Sequence, residues 1–336
     1  MKIVAPLTNH NCYEQLVEAG CDEFYFGFIP YSWQKEFINN CIPLNRREYI
    51  LNACNNFSFD TLKILQKKIE KYKKPVKITF NSHYYNKNQY KVLKELIKRL
   101  IDIGFNKLII GDLSLIIYLQ EANIECDIHM SGELMIPSNI NVNYYSKFNI
   151  SRFIFPRKTS VNEIKSIIHK SNLNVEFEAF VLNDICYYSG ALCNSFHCDE
   201  FGSFCGIPHM TFKNNPNSKM YSNIEKTMTI KNQMLLSMMQ QGKLLNKNQT
   251  QNEETLRLGQ TGCGLCRIKE LIDYGVTHGK VVGRGRDLSF LVKSTKVLKE
   301  IINLAKEKDI NSFIKVIKEE YLENKCSSKC YYPNFN

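Results

Sequence analysis

The stretch VKITFNSHYYNKNQYKVLKELIKRLIDIGFNKLIIGD, residues 76–112, decides how this chain folds. VKITFN (76–81) and KLIIGD (107–112) are short runs rich in β-branched and aromatic residues, as strands are. Between them, Gln89–Ile103 sets apolar residues at helical spacing. A strand, an amphipathic helix and a second strand imply a βα unit with parallel strands.

The same alternation extends in both directions. KIVAP (2–6) and EFYFGF (23–28) precede it; CDIHMS (126–131), RFIFPR (152–157) and VEFEAF (175–180) follow, and GKVVGR (279–284) supplies an eighth run. Helical patterns lie between them at Tyr13–Ala19, Phe59–Tyr72 and Val161–Ser171. Ser160 stands before the last of these as N-cap with Glu163 three residues on, a capping-box pattern. Eight such strands fit a closed (β/α) TIM-like barrel better than an open sheet, and the chemistry of such barrels sits at the C-terminal strand ends. Those ends carry Asn81, Asp112, Ser131, Arg157 and the segment after Phe180, each also readable as a helix cap or turn residue.

Past Phe180 the alternation stops. Residues 184–210 are rich in Cys, Gly and Ser; residues 211–258 are polar apart from the Met-rich amphipathic stretch IKNQMLLSMMQQGKLL. So long a structureless loop is uncommon in a compact domain, so 211–258 is expected to be a helical insertion over the site. The expected organisation is a barrel over 1–290 carrying that insertion, then 291–336 as two helices (Ser294–Lys306 and Ile310–Glu323) and a Cys-containing tail packed on the barrel.

Composition bounds the partners. The 336 residues are 44% apolar and 23% charged, as in ordinary soluble domains. No run approaches the ~20 apolar residues of a bilayer span, and the N-terminus lacks a signal-peptide core, so a cytoplasmic protein with no membrane partner is expected. The net charge of +11 invites a nucleic-acid groove, but the excess of Lys over Arg equally fits solvated helix faces.

Thirteen cysteines are many for a reducing compartment, where a disulfide framework is disfavoured. Cys12, Cys21, Cys54 and Cys126 fall within helix or strand patterns and read as buried small hydrophobes. The others cluster: DICYYSGALCNSFHCDEFGSFCGIPH (184–209) holds Cys186, Cys193, Cys198 and Cys205, and TGCGLCRIKEL supplies Cys263 and Cys266. Thiolates in such numbers bind zinc or an iron–sulfur cluster. Only Cys263 and Cys266 form a CxxC knuckle, so the spacing favours a cluster and leaves zinc open. Cys326 and Cys330 (CSSKC) read as an exposed end, or as a second metal site or redox pair.

Four blocks resemble one family. KIVAP…EQLVEAGCDEFYFGF is similar to an opening in which an acidic residue and a Gly-Ala-Asp-type turn precede Tyr-Phe-Gly. HMSGELMIPSNINVNYYSKFNISRFIFPRKTSVNEIKSI (129–167) resembles the stretch from a Ser-x-Gln strand to an Arg-Glu and its helix. EAFVLNDICYYSGALC (178–193) resembles Glu-x-Phe-x-His-Gly-x-x-Cys…Ser-Gly-x-Cys. GLCRIKELIDYGVTHGKVVGR (264–284) resembles an Asp-Leu-Cys helix followed by Lys-Ile-Glu-Gly-Arg. The chain thus resembles peptidase family U-32, the collagenase-like peptidases. Its relatives include the oxygen-independent hydroxylation proteins: the ubiquinone accessory pair and those acting on tRNA or 23S rRNA.

That resemblance implies a 4Fe-4S cluster on Cys186, Cys193, Cys205 and Cys266. It matches Glu178, Lys280, Gly283 and Arg284, and it implies prephenate as an oxygen-donating co-substrate. Arg157 and Arg284, at strand ends, are the candidate forks for its carboxylates; with Glu178 they are the candidate catalytic residues, and Lys280 is a further cation. The His-Gly pair is Leu182-Asn183 here, the strand Gln is Glu133, the Glu after Arg157 is Lys158, and the last Glu is Val282. The expectation is oxygen-independent hydroxylation, or a related redox modification, of a small molecule or RNA. Two alternatives stand beside it. One is a peptidase, for which Cys198 with His197 or His209 is conceivable although HExxH and GxSxG are missing. The other is a non-catalytic cluster-bearing subunit, a heterodimer with a related protein being possible.

Overall fold

In the computed structural model the eight strand runs form one closed parallel barrel in chain order, β1 through β8. The structure describes residues 1–37, 43–46, 58–134, 138–171, 173–186, 256–326 and 329–333. The strands are β1 Lys2–Leu7, β2 Glu23–Gly27, β3 Val76–Phe80, β4 Lys107–Ile110, β5 Asp127–Met130, β6 Ile150–Ile154, β7 Glu176–Leu182 and β8 His278–Val281. Closure runs through β1 and β8, where Val4 pairs with Lys280.

The helices on the outside are α1 Cys12–Glu18, α2 Tyr31–Phe37, α3 Phe59–Tyr72, α4 Lys87–Asp102, α5 Leu113–Glu121, α6 Asn139–Tyr145, α7 Val161–Ser171 and α8 Ile268–Asp273, followed by α9 Leu288–Glu307 and α10 Ile310–Val316. Each amphipathic helix buries its apolar stripe on the strands; Leu93, Ile97 and Leu100 do so on α4. The hydrophobic core is therefore the shell between strands and helices, and the barrel lumen is left to other side chains.

Local chemistry sets several helix starts. Ser160 and Glu163 form the expected capping box. The Glu163 carboxylate accepts from the Ser160 N–H at 2.7 Å, and Ser160 Oγ accepts from the Glu163 N–H at 3.3 Å. Asn86 and Gln89 make a second box that starts α4 two residues before the sequence pattern does. The helix α9 contacts α1 and β1, so it completes the eighth β/α unit.

The expected single helix over 310–323 is instead an α-helix followed by a π turn over Ile317–Tyr321. Packing explains the change. Phe313 and Ile317 are buried four residues apart, but the next apolar residue on that face, Leu322, comes five later. The wide turn keeps all three on the core, and in it the Leu322 N–H donates to the Ile317 carbonyl at 3.1 Å.

Cys12 and Cys21 are buried as expected, and Cys126 is half-buried. Cys54 and residues 211–255 of the expected insertion lie outside the described residues. No described helix is long and apolar enough to cross a membrane.

Candidate active site

The lumen is charged rather than aliphatic. Strand residues alternate between the two faces of the barrel wall, and the lumen-facing positions here include Glu23, Lys77, Arg152, Glu176, Glu178, His278 and Lys280. Arg152 is the hub. It donates to Glu23 at 2.7 Å, to Glu176 at 2.5 Å and to Glu178 at 3.0 Å, and its side chain is 2% exposed. Lys77 pairs with Glu23, and Lys280 donates to Glu178 at 2.6 Å. Three carboxylates thus balance three cations. The balance lets them stay ionised in a place where a lone charge would be costly.

The titration shifts follow. Burial alone would raise Glu178, but the Lys280 and Arg152 charges hold it down at about 2. Burial likewise acts against Glu23, whose carboxyl is nevertheless held far below the usual range by His278, Lys77 and Arg152. Burial pushes Lys77 down to about 8 despite Glu23, and lowers Lys280 despite Glu178.

Above this lattice, at the C-terminal strand ends, lies the mouth cavity. Arg46, Glu133, Arg157, Lys280 and Arg284 line it, with Tyr25, Thr79, Asn81, Ser131, Phe180 and Cys186 among their neighbours. Among the described residues its wall therefore carries four cations against one carboxylate. Lys280 Nζ sits 4.1 Å from the centre of the Tyr25 ring. Arg284 donates to Thr79 Oγ1 at 3.3 Å. Glu133 takes up two of the other cations: Arg46 pairs with it closely and Arg157 donates to it at 3.3 Å, with His83 Nε2 at 3.6 Å. Burial would raise Glu133, but His83, Arg46 and Arg157 hold it well below the carboxylate range. Arg157 also lies over the Phe180 ring at 4.3 Å, and its buried Nε has no hydrogen-bond partner among the described residues.

Of the expected strand-end residues, Asn81, Ser131 and Arg157 reach this cavity and Asp112 does not. Asp112 caps α5, accepting from the Ser114 N–H at 2.8 Å, and also accepts from Tyr90 Oη at 2.6 Å. Glu178 lies beneath the floor, fully buried as the counter-ion of Lys280. Arg284 follows β8 beyond Gly283, whose φ of +131° makes the turn.

Of the four resemblance-implied cluster thiols, Cys186 lines the cavity and Cys193 and Cys205 lie outside the described residues, as does Cys198. Cys266 belongs to another neighbourhood. Leu182 and Cys263 form an antiparallel bridge; Asn183 and Ile185 then donate to Gly262 and Thr261, while Gly264 donates to Val181. Cys186 and Cys266 thus leave that bridge in opposite directions.

Sequence reasoning missed Arg46, Tyr25 and the Glu23–Lys77–Arg152–His278 lattice. A signal for the lattice was present. VEFEAF carries Glu176 and Glu178 two residues apart, and the otherwise apolar EFYFGF and VKITFN each hold one charge, Glu23 and Lys77. In a strand covered by helices on one side, such residues have only the lumen to enter.

Among known structures, the fold is similar to that of the U32 peptidase Mk0906, at 11% identity and a TM-score of 0.42 over 66% of this chain and 84% of that one. It is similar to dihydrodipicolinate synthase from Acinetobacter baumannii at 12% identity and a TM-score of 0.45, over 97% of this chain and 84% of that one. Thiamine phosphate pyrophosphorylase from Pyrococcus furiosus gives 9% identity and a TM-score of 0.42, over 90% of this chain and 96% of that one. The family model is more specific, for its match runs from residue 8 to residue 335. With nearly the whole length matched, the chain belongs to peptidase family U32.

Proposed function

We propose that this protein is an enzyme that binds a small carboxylate-bearing substrate in the mouth of the barrel and modifies it in an oxygen-independent redox reaction of the hydroxylation type. The observation that carries the reading is the cavity wall: among the described residues four cations face one carboxylate, and the buried Nε–H of Arg157 finds no partner among them. Such a wall favours an anion, and a ligand oxygen at Arg157 would relieve the cost of an unpaired buried donor.

In this reading Arg284 and Lys280 grip one carboxylate of the substrate, and Arg157, stacked on Phe180, grips a second anionic group. Glu178 does not touch substrate. It keeps Lys280 protonated and aimed upward from the floor, as a positioning residue. Prephenate, a dicarboxylate, suits the spacing of two separate cationic groups, and a small anion suits a cavity inside the barrel mouth better than RNA does.

The donor chemistry fits a cluster beside this pocket. Cys186 lines the cavity, and two further thiols of the assigned set follow in the same segment. Cys186, Cys193 and Cys205 would hold the group there; Cys266, the fourth by resemblance, faces other thiols. When bound, a 4Fe-4S cluster supplies one-electron transfer next to the anion.

The test is anaerobic purification with iron and sulfide analysis, then calorimetric titration with prephenate. Binding by the wild type, weakened at least ~10-fold in Arg284→Ala and in Arg157→Ala, is the expected result. A protein that holds no iron, or one that binds prephenate no better than its dimethyl ester, refutes the reading.

A further inference from the structure

Two segments enter the mouth side by side, one after β7 and one after β8. The first runs from Asn183 to Cys186, which lines the cavity; the second is the turn 283–286, which brings Arg284 to it. Neither backbone holds its own shape. Asn183 and Asp184 both take left-handed backbone, at φ of +66° and +35°, a region costly for residues that carry a side chain. The turn has glycine on both sides of Arg284, Gly283 at φ +131° and Gly285 at φ +87°, and glycine leaves such conformations freely. Each segment is therefore held from outside.

The holding bonds come from several directions. The Asn183 N–H donates to the Gly262 carbonyl at 2.8 Å, and Asn183 Nδ2 donates to the buried Ser294 Oγ on α9 at 3.0 Å. The Asp184 N–H donates to Thr261 Oγ1 at 3.2 Å. Tyr331 Oη, on the tail that pairs with Cys263 through Cys330, donates to the Asn183 carbonyl. In the turn, the Arg286 N–H donates to the Gly283 carbonyl at 3.0 Å and the Gly285 N–H to Thr8 Oγ1 at 3.3 Å. A fork then joins the two segments to each other. Arg286 donates through Nη2 to Asp184 Oδ1 at 2.7 Å and through Nε to Oδ2 at 3.2 Å. The side chains are 23% and 16% exposed, so the fork is a fixed two-point contact and not a loose surface pair.

We propose that Asp184 and Arg286 are positioning residues of the mouth: their fork locks the segment that ends in Cys186 to the turn that carries Arg284, so that thiol and guanidinium face one bound anion. The inference rests on the anion-binding reading of the mouth and adds how its grip is built. Asp184 stands two residues before Cys186, and Arg286 two residues after Arg284, so a shift of the fork moves both. The fork also sorts the two guanidinium groups of the turn. Arg284 lines the cavity and Arg286 does not. Both Asp184 oxygens accept from Arg286, which leaves Arg284 as the cation this turn offers to the ligand.

The chemistry of the pair fits that role. Asn at 184 would tolerate the left-handed backbone as Asp does, but it offers one acceptor oxygen and no charge. Removing the fork is therefore a loss of aim and not of fold. Arg284 stays in the chain and ceases to meet the anion, so Asp184 acts on binding only through Arg284.

The experiment uses the full chain as purified anaerobically, with prephenate as the probe in calorimetric titration. Asp184→Asn should weaken binding about 10-fold. In the Arg284→Ala background the same change should add nothing, because the group it aims is gone. Losses that add across the two sites overturn the proposal, since a general loosening of the fold gives that result. Asp184→Gly accepts the left-handed backbone without strain, so it tests the fork in a chain that folds; wild-type affinity in that variant overturns the proposal. A second readout needs no bound anion. Phenylglyoxal, which modifies accessible arginines, is mapped by peptide mass spectrometry. Arg284 should react several-fold faster in Asp184→Asn than in the wild type, while Arg157 keeps its rate. An unchanged Arg284 rate overturns the fork and leaves the anion reading standing. A faster Arg284 in a protein whose wild type binds no prephenate upholds the fork and refutes that reading alone.

Discussion

Replacing Glu178 by Gln keeps the shape of the side chain and removes a fully buried carboxylate of the lumen lattice. Lys280, 2.6 Å away, loses its carboxylate, whereas Arg152 keeps Glu23 and Glu176. Breaking a buried ion pair from one side costs about 3–5 kcal/mol. Titration gives a consistent figure: a carboxyl held at about 2 in the fold, against 4.5 when free, contributes about 3 kcal/mol at neutral pH. Because the folded value is the depressed one, that stability is complete above pH 4.5 and is lost as pH falls toward 2. Glu178→Gln should therefore be less stable than wild type by about 3 kcal/mol at pH 7, and by only about 1 kcal/mol at pH 3. Urea unfolding followed by the fluorescence of Trp33, the single tryptophan and a buried one, measures both. Adding Lys280→Met should recover most of the loss, because an apolar pair of similar volume needs no counter-ion. A deficit below about 0.5 kcal/mol at pH 7, or one of equal size at pH 7 and pH 3, would refute the reading of the lumen as a balanced ion lattice.

Three further substitutions test the scaffold. Asn86→Ala removes the cap of α4 and should cost about 1 kcal/mol in urea unfolding. Gly111→Ala would set a Cβ 2.7 Å from the Ser82 carbonyl oxygen, part of the backbone. That change should destabilise by about 1–3 kcal/mol; a variant as stable as wild type would show that this loop yields. Tyr90→Phe deletes the 2.6 Å bond to the buried Asp112 carboxylate. It should cost about 1.5–3 kcal/mol, read as a lower thermal midpoint by circular dichroism. Cys126→Ala, at a half-buried thiol remote in sequence from the clustered cysteines, should leave the iron content unchanged by elemental analysis.

The sequence by itself determined the barrel. Its eight strand runs and the helices between them are written in local periodicity, and all eight runs became strands within a few residues of where the pattern put them. The Ser160–Glu163 box was legible for the same reason, since its partners are three residues apart. Three features needed the tertiary structure. The π turn before Leu322 exists because two buried residues five apart must face one core, which periodicity reads as a plain helix. The anion pocket depends on Arg46, Arg157, Lys280 and Arg284 meeting across the mouth from segments far apart in the chain, and on Glu133 neutralising only part of their charge. The pairing of Cys263 with Cys330 depends on a tail returning across the closed barrel. Periodicity records which face of an element is buried; which charges and thiols then meet is set by the order in which the strands close, and no short-range pattern carries that order.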